Sequence, residues 1–272
     1  GIPKQIDRML ALKPAAVRAT ASRWLADGQF VLTVMPFPEL TAAASGADRA
    51  KMPEPGSPPE ARFPAPERAT LANGLEIALV QRTAVPVVDL AVLIDAGYAA
   101  DPAAAPGIAS MAMNMLDEGT ASRTALQISE ELAALGAELR SNAGLDVCTV
   151  TLSALKDRLA PSLDIMADVV LRPSFPAKEL ERLRQTTLAR IQQEKVQPIG
   201  LALRVMPALL YGSGHAYSQP LTGSGTEASV GAMTRDDLSR FHQTWFKPNA
   251  ATLVVVGDIT LAELRPQLER VF

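Results

Sequence analysis

The sequence predicts an α+β fold, a mostly antiparallel β-sheet covered on one face by helices. Three observations lead there. Strand-like runs come in pairs, and long helical runs separate the pairs. Several of those helical runs exceed what the crossovers of a doubly wound sheet require. The glycine signatures that cradle phosphate in a doubly wound nucleotide fold are missing, so that fold ranks second.

In chain order, residues 4–27 space Ile6, Met9, Leu10, Val17, Ala21, Trp24 and Leu25 as a helix broken at Pro14, and Phe30–Val34 follows as a β-rich run. From Pro36 to Pro66 the text turns to Pro, Ala, Gly and Ser. Such a stretch buries too little apolar surface to offset its ordering entropy, and it is expected to be a tether. Thr70-Leu71 leads into Asn73-Gly74, a hairpin turn entering the strand that holds Leu75, Ile77 and Leu79. Val87–Ile94 is a second strand. Pro106-Gly107 opens a helix through Leu116, and Ser122 or Thr124 caps another through Leu135. Strands are expected at Ala137–Ser141 and Val147–Leu155, then helices over 158–171, 177–196 and about 199–211. A glycine-rich loop (211–225) precedes Thr234, which caps a helix to Phe246. Leu253–Val256 is the last strand, and a helix closes the chain at Phe272. Three pieces result: residues 1–35, a Pro/Ala-rich linker at 36–66, and a larger piece at 67–272.

Composition narrows the function. Of 272 residues 48% are hydrophobic but only 4% aromatic, so the core is aliphatic. Twenty-six basic residues stand against 29 acidic ones, a net charge of -3, which offers no excess to neutralise a phosphate backbone; nucleic acid is not expected as a partner. No apolar stretch approaches the roughly 20 residues that span a bilayer. The N-terminus lacks a signal-peptide pattern and opens in what reads as a helix, as a fragment would.

Reactive constellations are scarce. Cys148 stands alone in a strand-like run, which excludes an intrachain disulfide and a cysteine zinc cluster, and it reads as packing. Only His215 and His242 are present, too few for the three protein ligands of a catalytic zinc; His215 is expected to brace its loop and His242 to sit at a helix surface. Glycines 212, 214, 223 and 225 are of the kind that cradle an anion, but a loop needing positive φ explains them as well. Ser110 has no base at helical spacing. Asp117 and Glu118 are expected to meet solvent or Arg123.

Several stretches in order resemble the insulinase/pitrilysin family of zinc peptidases, which carry the inverted HxxEH motif. They are the strand after Asn73-Gly74, Asp95-Ala96-Gly97, Pro106-Gly107-Ile108-Ala109, Met115 to Thr120, His215-Ala216-Tyr217, Thr234 to Leu238, Trp245 to Asn249 and Val256-Gly257-Asp258. The resemblance covers about 67–272, nearly one family half-domain, and it implies that residues 1–35 are the C-terminal tail of a preceding peptidase-like unit. It implies that active members project His, Glu and His at i, i+3 and i+4 from one helix face, two imidazoles on zinc and a carboxylate activating water. Aligned on Pro106-Gly107 and Gly119-Thr120, those positions hold Ser110, Met113 and Asn114, and the distant Glu ligand falls near Arg190, judged from Pro198. Hydroxyl and amide are poor zinc ligands, a thioether takes no proton from water, and a guanidinium repels a cation. The resemblance therefore implies a degenerate, non-catalytic copy with no cofactor in this chain, zinc belonging to an active partner unit. Its partners would be that zinc-bearing unit, in the same polypeptide or another chain, and peptide substrates, with this half-domain as chamber wall. A peptide can add to a sheet edge through main-chain hydrogen bonds, and Ala137, Glu138, Leu139, Arg140 and Ser141 occupy the family's edge position; an ordinary strand explains the same residues. Three alternatives stay open: a fragment of an active zinc metalloendopeptidase whose HxxEH lies elsewhere, a structural assembly subunit, and an unrelated hydrolase using Ser110 or Cys148. The resemblance and the Ala-rich composition together suggest a bacterial periplasmic setting.

Overall fold

The computed structural model describes residues 9–26, 28, 31–33, 56 and 64–272. The chain divides into two units, Gly1–Ala61 and Arg62–Phe272.

In the first unit Pro14–Leu25 forms α1. Proline at the helix start suits it, because its missing N–H has no intrahelical partner there anyway. The β-rich run expected at 30–34 is corrected in its described part: residues 31–33 belong to no strand, and Val31 and Leu32 are exposed. β-propensity makes a strand only where a partner supplies a hydrogen-bonded ladder, and none is described beside them. Phe30, Val34 and most of the 36–66 segment lie outside the described residues, as do residues 1–8.

The second unit opens with β1 (Glu67–Thr70) and β2 (Glu76–Gln81), antiparallel as the Asn73-Gly74 turn requires. Gly74 takes φ 92°, and Asn73 Oδ1 accepts from Leu75 N at 3.0 Å, closing the turn with a side chain. Then come β3 (Val87–Ile94), α2 (Ile108–Asn114), α3 (Ala125–Leu135), β4 (Glu138–Ala143) and β5 (Cys148–Leu155). Four consecutive helices follow: α4 (Leu159–Leu171), α5 (Ala177–Val196), α6 (Pro198–Tyr211) and the short α7 (Glu227–Ala232). The unit ends with α8 (Arg235–Trp245), β6 (Ala251–Gly257) and α9 (Leu261–Val271).

The strands form one six-stranded sheet in the order β1-β2-β6-β3-β5-β4. Every pair is antiparallel except β2–β6. Alternation sorts the faces. Val88, Leu90, Val92 and Ile94 of β3, Cys148, Val150, Leu152 and Ala154 of β5, and Leu253 and Val255 of β6 are buried on the helix side. Against them α4 sets Leu159, Leu163, Met166 and Val170 at helical spacing, and α9 adds Leu264 and Leu268. Burying a Leu or Val contributes about 1.5–3 kcal/mol each, so this aliphatic layer holds the unit together.

Two expectations shift at their ends. The helix predicted through Leu116 stops at Asn114, because Met115 N and Leu116 N bond the carbonyls of Ala112 and Met113, three residues back, and the last turn tightens. Helix α7 is absent from the sequence reading although Thr226 and Ser229 form a reciprocal capping box at its start. None of the described helices is long and apolar enough to cross a membrane.

Candidate functional site

Helix α2 begins at a backbone feature only glycine accommodates. Gly107 has φ 92°, and a Cβ there would stand 2.9 Å from Gly225 Cα and 3.1 Å from Ser224 O. Asp101 caps the entry, its carboxylate accepting from Gly107 N (2.5 Å) and Ala109 N (3.0 Å). Burial nevertheless outweighs those amides and pushes the Asp101 carboxyl up to about 7.

The sequence-predicted positions separate on this helix. Met113 is fully buried, its side chain part of the core. Ser110 is half-buried, its Oγ close against Gly223. Asn114 is exposed and lines a cleft of about 540 Å³ between α2, β4 and α5. Arg190, on α5, lines the same cleft, as do Leu139, Arg140 and Ser141 of the edge strand β4. So Asn114, Arg190 and the strand come together, while Ser110 and Met113 are not among the lining residues. Ser141 Oγ donates to Met113 O at 2.7 Å and ties the strand to α2. Ala137 precedes β4, Glu138 begins it, and Glu138 pairs with Arg140 on the exposed surface.

Other cleft residues escaped the sequence reading. Leu183, Thr186 and Thr187 line it from α5, seven, four and three residues before Arg190, so helical spacing from that one position was the available pointer. Asp117 and Glu118 line it too: Asp117 meets solvent as expected, whereas Glu118 is corrected, pairing with Arg182 on α5 and not with Arg123. The surrounding protein, with Glu118's charge adding, raises the Asp117 carboxyl above its ordinary value, although Asp117 still meets water. Arg123 instead joins Glu131 (2.9 Å) and the buried Asp168 (2.8 Å). Burial pulls the Asp168 carboxyl up, but the Ser122 and Thr120 hydroxyls, Arg123 and Arg172 prevail and hold it below its usual range. That cluster pins the turn behind α2.

Arg190 is weakly matched. Its carboxylate neighbour among the described residues is Glu194, with Nε at 3.8 Å from Oε1. Glu194 is already engaged: its Oε2 accepts from Arg204 (2.7 Å), Ser224 (2.7 Å) and Thr222 (3.1 Å).

The remaining candidates are structural. His215 Nδ1 accepts from Tyr217 N at 3.0 Å and braces its loop. His242 is corrected from a surface position: its Nε2 meets Val170 O at 2.8 Å, and burial lowers its pKa. Cys148 is buried, and burial with the nearby Asp101 charge pushes its thiol up to about 12, far from thiolate chemistry. The four loop glycines all take positive φ; at Gly225 a Cβ would strike Pro106 O at 2.1 Å.

As a zinc site this donor set does not fit. It offers an enclosed thioether, an amide and a guanidinium, and the hydroxyl stands apart from the cleft. Among the described residues no group of three or more His, Cys, Asp and Glu is placed to hold a metal.

Family comparison is decisive about kinship. The family model described as insulinase (peptidase family M16) matches residues 76–215, and one described as the peptidase M16 inactive domain matches 232–272. The chain belongs to the insulinase family. β6, inside the second match, lies between β2 and β3 of the first, so both matches fall on one sheet. This insulinase-family chain is 28% identical over 197 residues to an uncharacterized zinc protease of Mycobacterium leprae, covering 72% of this chain and 44% of the relative. It is 25% identical over 218 residues to a probable mitochondrial-processing peptidase subunit beta of Arabidopsis thaliana, 79% of this chain and 39% of the relative. The chain thus spans less than half the length of these curated relatives. A crystal structure of a peptidase M16 inactive domain from Pseudomonas fluorescens is similar at TM-score 0.72 and 28% identity, over 76% of this chain and 50% of that one. A protease from Helicobacter pylori shares the fold at TM-score 0.70 and 22% identity, over 77% and 50%.

Proposed function

We propose that this insulinase-family half-domain is non-catalytic, forms part of a peptide-binding wall, and works beside a zinc-bearing peptidase unit in the same polypeptide or in a partner chain. The observation that carries the proposal is the replacement of all four motif positions by Ser110, Met113, Asn114 and Arg190. Zinc-assisted hydrolysis needs a Lewis acid and a group that takes the water proton. Met113 is buried and has no basic atom, and Arg190 brings a positive charge to the place of an anionic ligand. The likeness to an inactive domain of the family supports the same assignment.

Peptide binding is supported by the sheet edge. Among the described residues β4 pairs only with β5, so its outer N–H and C=O groups are available to an extended chain, beside the cleft under Asn114 and Arg190.

Metal analysis and a quenched-fluorescence peptide assay test the proposal together. Purified chain should carry far less than one zinc per molecule and show no turnover with or without added zinc. Adding the chain to a zinc-bearing family unit should lower that unit's KM for peptides. Stoichiometric zinc lost on changing Ser110 or Asn114, or turnover abolished by a chelator, overturns the non-catalytic assignment. Stable association with no effect on peptide turnover points instead to a structural assembly subunit.

A further inference from the structure

We propose that the cleft between α2, β4 and α5 selects a carboxylate on the bound peptide, seated on Arg190 with Asn114 and Thr187 beside it; this rests on the peptide-binding reading above. The side chain at 190 has turned the charge of the site around. A guanidinium offers five N–H donors in a fork that matches a carboxylate. At 3.8 Å the Glu194 contact is too long for a hydrogen bond, and Glu194 is drawn toward Arg204, Ser224 and Thr222, so the Arg190 donors remain to be used. Asn114 and Thr187 bring an amide and a hydroxyl to the same wall, and the volume of about 540 Å³ accommodates a side chain or a chain terminus.

The charges on the wall set the sign of the selectivity. Glu118 is neutralised by Arg182, and Arg140 is engaged by Glu138, which stands outside the cleft. Asp117 is the acid left without an ion pair among the described residues that line the cleft. It opposes an anion, so a carboxylate is held at the Arg190 end and against a repulsion that a substitution can remove.

Three fluorescent decapeptides of otherwise identical neutral sequence test this by anisotropy on the full chain. One has a central Glu and an amidated C-terminus, one a central Gln and a free C-terminal carboxylate, and one a central Gln and an amidated C-terminus. At low salt at least one carboxylate peptide should bind about tenfold more tightly than the neutral one, as a charge-assisted bidentate contact at a partly exposed site implies. Which of the two gains identifies the side chain or the terminus as the source. Arg190→Gln should erase the advantage, whereas Asp117→Asn should enlarge it; a merely structural disturbance would not move the two in opposite directions, and thermal melts check that both variants fold. Equal binding of all three peptides, or an advantage that survives Arg190→Gln, overturns the carboxylate site and leaves peptide binding standing. No binding by any peptide overturns peptide binding and the carboxylate site together.

Discussion

Asp101 is pulled two ways. Two backbone amides at the start of α2 favour its charge, while burial disfavours it and wins, taking the carboxyl to about 7. An Asp in an unfolded chain titrates near 3.9. Between those values the folded chain therefore holds more protons than the unfolded one, and stability falls as pH rises across the window, levelling above about pH 7. Urea titrations from pH 4 to pH 8 should show this loss, on the order of 4 kcal/mol from this group. Asp101→Asn should flatten it while leaving the far-UV spectrum unchanged. None of this is legible in the sequence, where Asp101 is one acid in an Ala/Pro-rich loop; its environment is made by the fold. The same holds for Arg190, whose weak pairing depends on Glu194 being drawn away by Arg204 and Ser224 from other segments.

At the scale of elements, periodicity and capping carried far. The long helices α4, α5 and α6 and the strands β3 and β5 lie within a residue or so of their expected spans, because apolar residues recur at one clean period in α4, β3 and β5, and Pro198 and Gly212 bound α6. Thr124, rather than Ser122, caps α3, since Gln127 three residues on completes a capping box. The short α7 escaped because Ser229 replaces the usual Glu or Gln of such a box and its six residues carry little pattern. The junction of α2 with the glycine loop is where a single change tells most. Gly107→Ala adds a Cβ at φ 92° against the Gly225 backbone and should lower stability by about 2–3 kcal/mol, read from the urea midpoint. Because α2 carries Asn114, the same variant should also weaken whatever the neighbouring cleft binds.

Across the whole second unit, one helix does not follow the aliphatic logic of the core. Along α6, Ile199 and Leu209 are each 78% exposed and Leu210 is 70% exposed, with Leu201, Val205 and Met206 beside them. Its sequence is apolar on nearly every face, which from text alone suggests a core helix; exposure depends on what surrounds it. Contiguous apolar surface of this kind binds hydrophobic dyes and promotes association. The purified chain should enhance the fluorescence of such a dye and self-associate at high concentration. Leu209→Glu combined with Leu210→Glu should reduce the dye signal severalfold, with Tm shifted by no more than about 2–3 °C, since exposed side chains contribute little to the core.

The placement of β6 reaches beyond the finished molecule. It fills the gap between β2 and β3, neighbours in sequence, and pairs with both, although about 160 residues of chain lie between β3 and its own start. During synthesis the ribosome must deliver the chain through Gly257 before that gap can close. Until then β1-β2 and β3-β5-β4 stand as two partial sheets with bare facing edges, open to mispairing. A nascent chain of this design stays open to association until β6 emerges, and a product that stops short of β6 would keep both edges bare.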